Sequence, residues 1–113
     1  LKIYGDGSQT RDFVYVGDCA QANLLALKAE NSDGIFNIGF SRGTSVNEIF
    51  SALKKATNYQ PNPVYGLAKI GETRHIYLRA DKARQVLGWK PTVSLEEGLG
   101  RTVDYFRMAE RPA

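Results

Sequence analysis

Arg11 stands just before the apolar run Phe13-Val14-Tyr15-Val16, which predicts a strand, so its guanidinium is carried on a stiff base. A planar fork of donors in that place suits a bidentate contact with a diphosphate. Farther along, Lys69-Ile70-Gly71-Glu72 sets a cation and a carboxylate three residues apart around a glycine. That arrangement suits a ligand with both phosphate and vicinal hydroxyls: the cation takes phosphate and the carboxylate accepts from ribose. The same residues also read as surface ion pairs, Arg11–Asp12 and Lys69–Glu72, each worth less than about 1 kcal/mol.

Three other patterns imitate known chemistry. Gly5-Asp6-Gly7 follows a predicted strand as a dinucleotide fingerprint would, but a strand rather than a helix comes next. Without a helix N-terminus nothing holds a pyrophosphate, so this is a turn. Gly39-Phe40-Ser41-Arg42-Gly43-Thr44-Ser45 lies between strand and helix like a phosphate loop, yet lacks its lysine and is one residue short, so it reads as a plain connection. Tyr65-Gly66-Leu67-Ala68-Lys69 has the spacing of a catalytic tyrosine–lysine pair. That spacing works only where residues i and i+4 share a helix face, and Pro61, Pro63, Gly66 and Gly71 make a helix here improbable. His75 and Cys19 are single residues of their kinds, carboxylates at metal-ligand spacing are lacking, and no metal is expected. The serines, threonines and aspartates are accounted for by caps and turns, leaving no nucleophile–base–orienter set and no catalytic residue.

The elements that would position these residues alternate between strand and helix. Leu1–Tyr4 is a short strand closed by the turn Gly5–Ser8, and Phe13–Val16 is a second strand. Asp18 and Gln21 form a capping box for a helix carrying Ala22, Leu25, Ala26 and Ala29, which Asn31-Ser32-Asp33-Gly34 ends. Ile35–Ile38 predicts another strand. Ser45 and Glu48 cap an amphipathic helix bearing Val46, Ile49, Phe50, Leu53 and Ala56, and Tyr59 to Pro63 is extended. Asp81 caps a short helix that ends at Leu87 with Gly88 as its C-terminal glycine, and Ser94 with Glu97 opens the last helix. The class is α/β, with strands too few and too short for a complete doubly wound sheet.

Composition agrees with a small folded unit. The chain has 113 residues, 42% hydrophobic, with 15 Lys and Arg against 12 Asp and Glu, which excludes disorder and low-complexity classes. A chain of this size buries roughly 65% of its unfolded surface. No apolar run approaches the roughly 20 residues of a membrane span, and no membrane partner is expected. A start at Leu1 rather than Met implies that the natural start lies upstream. One cysteine excludes an internal disulfide, and with no visible targeting signal the expectation is cytoplasmic. Lys69, Arg74, Arg79, Lys82, Arg84 and Lys90 concentrate the positive charge in one stretch. That patch suits a phosphate-bearing ligand or a solvated face; with little aromatic interleaving beyond Tyr77, no nucleic-acid partner is expected.

The run Gly5-Asp6-Gly7-Ser8-Gln9-Thr10-Arg11-Asp12-Phe13-Val14-Tyr15-Val16-Gly17-Asp18 resembles the extended short-chain dehydrogenase/reductases, the NAD-dependent nucleotide-sugar epimerases and dehydratases. Phe36-Asn37-Ile38-Gly39, Thr44-Ser45-Val46, Leu87-Gly88-Trp89-Lys90-Pro91 and Ser94-Leu95-Glu96-Glu97-Gly98-Leu99 follow in the family's order. The likeness covers essentially the whole chain and is nearest to members like UDP-glucose 4-epimerase.

The resemblance implies the C-terminal portion of a Rossmann-type enzyme with an incomplete sheet. Residues 1–113 would form the substrate-binding portion, of which 1–40 complete the sheet of a cofactor domain lying upstream. It implies NAD as the family's cofactor, bound outside this chain, with the hydride and proton transfers also made upstream. It implies a UDP-sugar or related nucleotide sugar as partner, with Arg11 on the diphosphate, Phe13 as the adjacent aromatic lining the nucleotide pocket, and Glu72 on the uridine ribose. Lys69 stands where the family commonly has the arginine of Arg-Pro-Gly-Asp/Glu, keeping the charge but losing the fork. Arg79 stands where an acidic residue is usual. Without the cofactor domain the chain would be inactive, would expose Leu24, Leu25, Leu27 and Phe36, and would form a homo-oligomer through its open sheet edge. The alternative function is a stand-alone, self-associating nucleotide-binding or interaction module without catalysis.

Overall fold

The computed structural model describes residues 1–30 and 33–109, so Asn31 and Ser32 of the expected helix stop lie outside the described residues. In chain order the elements are β1 (Lys2–Tyr4), β2 (Thr10–Arg11), α1 (Val16–Lys28), β3 (Thr44–Ser45), α2 (Val46–Thr57), β4 (Val64–Gly66), α3 (Asp81–Leu87) and α4 (Leu95–Ala109). β1 pairs in parallel with β4, placing Ile3 opposite Tyr65. β2 pairs antiparallel with β3, placing Arg11 opposite Thr44. The fold is α/β with two separate two-stranded sheets, and each sheet joins the first eleven residues to chain beyond Gly43.

The core forms between α1 and α3. Ala22, Ala80, Ala83, Leu87 and Trp89 are buried together, with Val14, Leu25, Ala29, Phe36 and Ile38 packed against them. Trp89 is 1% exposed, and its indole N–H donates to the Asp18 carbonyl at 2.8 Å, satisfying the one polar atom that burial would otherwise strand. The small alanines let α3 approach α1 closely enough for the indole to close the gap. A second layer forms where α2 rests on α4.

The molecule is a slab of 51 × 43 × 20 Å with a Cα radius of gyration of 16.8 Å. A rounded domain of this length has a radius of gyration of about 13 Å. Flatness leaves apolar side chains uncovered: Leu27 is 82% and Ile35 87% exposed, and Leu24 is also open. Leu25 and Phe36, expected among the exposed residues, are instead half-buried against the core. No helix among the described residues is long and apolar enough to cross a membrane.

Several local expectations are corrected. Phe13–Val16 is not a strand. The Tyr15 carbonyl accepts from the amides of Asp18 and Cys19 at 3.0 and 3.2 Å, so it serves the first turn of α1 rather than a ladder. The strand that carries Arg11 is β2, just upstream. Ile35–Ile38 is not a strand either: Phe36 and Ile38 turn inward and Ile35 outward, as alternation dictates, but no strand among the described residues pairs with them.

Asp18 does not cap α1, whose N-cap is Tyr15 with no side-chain bond; its carboxylate is taken by Thr92 and Val93. Asp81 is the first helical residue of α3 rather than its cap and accepts from Arg79 at 2.8 Å. Ser94 accepts from the Glu97 amide at 3.2 Å, but the Glu97 carboxylate goes to Arg101, so only half of that box forms.

Two signals confined to one turn do form. Ser45 and Glu48 make a complete reciprocal box, and Gly88 closes α3 at φ +65°.

Candidate functional site

The site begins at the turn after β1. Gly5 and Gly7 lie at φ +75° and +74°, a region closed to most side chains, and a Cβ at Gly7 would collide with the Asn47 amide. Within this turn Asp6 Oδ1 accepts from the Ser8 amide at 2.9 Å and the Ser8 hydroxyl at 2.6 Å. Asp6 Oδ2 accepts from Arg74 at 2.9 Å. The Ser8 hydroxyl and amide, then the Arg74 guanidinium, hold the Asp6 carboxyl far below the ordinary carboxylate range.

From the turn the chain enters β2, and residues 74–76 lie along its open side. The Thr10 amide donates to the Arg74 carbonyl at 2.8 Å, and the Ile76 amide to the Thr10 carbonyl at 3.2 Å. Thr10 Oγ1 and His75 Nδ1 stand 3.1 Å apart in a hydrogen bond. Arg11 is therefore flanked by β3 on one side and by this segment on the other.

Here Arg11 and Glu72, 61 residues apart in the chain, meet: Arg11 Nη2 donates to Glu72 Oε1 at 3.1 Å. Arg11 Nη1 donates to the Thr10 carbonyl at 2.7 Å, which fixes the plane of the guanidinium. The two side chains are 30% and 35% exposed, so solvent and ligand both reach the pair.

Lys69–Glu72 is a turn in which the Glu72 amide donates to the Lys69 carbonyl at 3.4 Å, with Gly71 at φ +82°. A positive φ at the third residue is what a type II turn requires, and the second is the usual place of proline; Ile70 occupies it here. The Lys69 ammonium lies 4.7 Å from the centre of the Tyr4 ring, a cation–π contact.

Three of the four expected site residues thus come together: Arg11 on Glu72, with Lys69 at the other end of the same turn. Neither surface pair anticipated from the sequence forms among the described residues; Glu72 lies on Arg11, and Asp12 is engaged elsewhere. The Asp12 carboxylate accepts the amides of Phe40 at 2.6 Å, Ser41 at 3.0 Å and Leu78 at 3.1 Å, tying three segments beneath Arg11. Phe13 lines a different hollow, of about 330 Å³, with Tyr15, Leu95, Gly98 and Thr102. Tyr65 lies on β4 and donates its hydroxyl to Asn47 at 3.1 Å, so Tyr65 and Lys69 share no helix face and the catalytic reading of that spacing fails.

Lys69 and Glu72 border two hollows. The larger, about 460 Å³, runs between β1 and α2 over Ile3, Ile49, Phe50 and Leu53, and offers polar groups mainly at its rim. The smaller, about 210 Å³, is walled by Tyr4, Asp6, Gln9 and Arg74 together with Lys69 and Glu72. Both walls hold cations, Glu72 and an aromatic ring; the larger is mostly apolar, whereas charged and polar side chains make up most of the smaller, the mixture a charged, hydroxylated ligand needs. Asp6 and Gln9 escaped the sequence reading as site residues, and Arg74 entered it only as one cation of the basic stretch. The one available signal was the acidic residue inside the Gly5–Ser8 turn, and nothing local shows that its partner is 68 residues away.

The fold is mixed α/β with an incomplete sheet, and comparison with known proteins makes the class specific. Residues 1–39 match the model of the NAD dependent epimerase/dehydratase family. The solved UDP-glucose 4-epimerase of Thermotoga maritima, crystallised with UDP-glucose, superposes with a TM-score of 0.93 at 48% identity over 98% of this chain and 36% of its own. The UDP-glucose 4-epimerase of Mycolicibacterium smegmatis is 39% identical over 94% of this chain and 34% of its own length. The UDP-glucuronic acid 4-epimerase of Bacillus cereus, in complex with UDP-glucuronic acid and NAD, superposes with a TM-score of 0.88 at 35% identity over 96% of this chain and 35% of its own. The chain belongs to the NAD-dependent epimerase/dehydratase family and is like UDP-glucose 4-epimerase over about a third of such an enzyme's length.

Proposed function

We propose that this chain is the nucleotide-sugar grip of an NAD-dependent sugar 4-epimerase or dehydratase. The observation that carries the reading is the Arg11–Glu72 contact of 3.1 Å, which puts a diphosphate-binding cation beside a carboxylate able to accept from ribose hydroxyls. On ligand entry the Arg11 fork exchanges its carboxylate partner for phosphate oxygens, and Glu72 turns to the sugar diol. Lys69, held over Tyr4, adds positive charge at the far side of the turn. Phe13, two residues beyond Arg11, lines a separate hollow and stands outside this grip.

NAD is the family's cofactor, but the described residues form no cradle for it. The Gly5–Gly7 turn leads into β2, and the Gly39–Gly43 loop leads to a helix already capped by its own Ser45. The chain's work is binding and orientation, and alone with NAD and UDP-galactose it is expected to give no turnover. Residues 1–40 then present α1 and the extended Ile35–Ile38 segment to the sheet of a cofactor domain.

Calorimetric titration with UDP and UDP-glucose tests the reading. Binding in the millimolar range or tighter that Arg11→Ala abolishes is expected; binding indifferent to Arg11 overturns it.

A second reading, a self-associating module without catalysis, draws on the exposure of Leu27 and Ile35. Sedimentation decides it: a monomer at micromolar concentration removes this reading, and a dimer that Leu27→Glu dissociates supports it.

A further inference from the structure

The Lys69–Glu72 turn has no regular element to hold it. It is exposed throughout, follows the three-residue β4, and is separated from α3 by extended chain. Its place over Arg11 must therefore come from bonds made by its flanks. On the β4 side the sheet pairing ends at Gly66. On the other side stands Arg74, whose main chain reaches β2 at Thr10 and whose side chain reaches the turn just before it.

The Arg74 carbonyl accepts the Thr10 amide at 2.8 Å, fixing the segment's register on β2. Its Nη2 donates to Asp6 Oδ2 at 2.9 Å and to the Ser8 hydroxyl at 2.5 Å, gripping the turn five residues before Arg11. Ser8 is not a casual acceptor. Its hydroxyl proton is committed to Asp6 Oδ1 at 2.6 Å, which leaves its oxygen lone pairs facing the guanidinium. Asp6, Ser8 and Arg74 thus close a three-membered ring of charge-assisted bonds on a turn that Gly5 and Gly7 already make rigid. Glu72 lies two residues before Arg74, so the side chain that grips the turn and the one that meets Arg11 are set by the same short stretch of backbone.

We propose that Arg74 is a positioning residue for ribose recognition: latched to Asp6 and Ser8, it holds the Lys69–Glu72 turn so that the Glu72 carboxylate stands beside Arg11. The proposal rests on the nucleotide-sugar reading and adds a residue that touches neither diphosphate nor ribose. The latch acts on Glu72 and leaves Arg11 alone, because Arg11 is seated on β2 by its pairing with β3 and by its own bond to the Thr10 carbonyl.

The test uses this chain with three probes: UDP, 2′,3′-dideoxy-UDP and inorganic pyrophosphate. In the wild-type chain a carboxylate bonded to the ribose diol favours UDP over the dideoxy analogue by roughly tenfold. Arg74→Ala and, from the other side of the latch, Asp6→Asn should bring that ratio close to one while pyrophosphate affinity stays unchanged. Arg74→Lys, which keeps the charge but loses the fork, should fall between. A preserved ratio overturns the proposal. So does a parallel loss for all three probes, the mark of general damage or of a direct phosphate contact by Arg74.

Amide hydrogen exchange examines the latch without ligand. Faster exchange at Thr10 and Ile76 in Arg74→Ala, with α1 unchanged, is expected; unchanged protection at both overturns it. If the wild-type chain binds no probe, the nucleotide-sugar reading fails, and the exchange result still decides whether Arg74 holds the turn.

Discussion

Asp18 in the first turn of α1 and Thr92 in the segment before α4 are joined by two hydrogen bonds, hydroxyl to Oδ1 at 2.7 Å and amide to Oδ2 at 3.1 Å. The Val93 amide adds a third, also at 3.1 Å, and the Trp89 indole bonds the Asp18 carbonyl. One buried aspartate therefore pins the 89–93 segment across the start of α1, closing the core from its open side. Burial alone would raise this carboxyl's pKa. The Thr92 hydroxyl, the Val93 and Thr92 amides and the charge of Arg101 outweigh it and bring the pKa below the ordinary value.

Acid should unfold the chain partly through this group. The folded-state pKa of Asp18 lies below the unfolded value of about 3.9, so the unfolded chain takes up the proton first. The stabilisation is present above that value and is lost as pH falls through the folded pKa. Asp6 acts in the same direction, its pKa being lowered too. Asp18→Asn should cost about 1–3 kcal/mol at neutral pH by leaving buried amides without an ionised acceptor. Urea melts from pH 7 to pH 2.5 check this: the gap between wild-type and variant stability should narrow toward the acid end, and a constant gap would refute it.

Ile70→Pro should stabilise the chain by about 0.4–1 kcal/mol. Ile70 is the second residue of a turn whose third has φ +82°, and its side chain is fully exposed, so proline loses no packing and restricts the unfolded chain. A rise in the urea midpoint with an unchanged slope is the expected result. A fall would mean that this turn is not type II.

Gly39→Ala should destabilise by about 1–3 kcal/mol through crowding. A Cβ there would sit 2.6 Å from Asp12 Oδ2 and 3.1 Å from Leu78 Cβ, where the Asp12 carboxylate is already fixed by three amides. Gly100→Ala is the control: nothing lies within 4 Å of its Cβ position, and as an interior residue of α4 it should gain stability. Thermal melting of both variants measures the contrast.

Glu72→Ala separates stability from binding. The Arg11–Glu72 pair is about one-third exposed on each side, so its loss should cost less than about 1 kcal/mol of folding stability. Affinity for UDP should nevertheless drop roughly tenfold as the ribose loses its acceptor. Melting and titration on the same sample give both numbers, and an unchanged UDP affinity would remove Glu72 from the site.

What the sequence by itself determined was decided within a turn or two, at positions where no remote group competes for the side chain. The Ser45–Glu48 box starts α2 because donor and acceptor lie three residues apart, and Gly88 ends α3 because only the backbone conformation is at stake. The close approach of Lys69 and Glu72 around Gly71 was legible on the same footing, because one tight turn sets both its ends.

Tertiary structure decided the rest, because there the partner is remote. Phe13–Val16 and Ile35–Ile38 have the composition of strands, yet a strand exists only beside another, and the Tyr15 carbonyl is claimed by α1. Asp18 and Asp81 looked like caps, but a carboxylate goes where the best-placed donors are, and for Asp18 those lie 74 residues on. Likewise Glu72 could have met Lys69, its neighbour in the chain. It meets Arg11 because residues 74–76 run along β2, and no local pattern shows which distant backbone will satisfy the Thr10 amide.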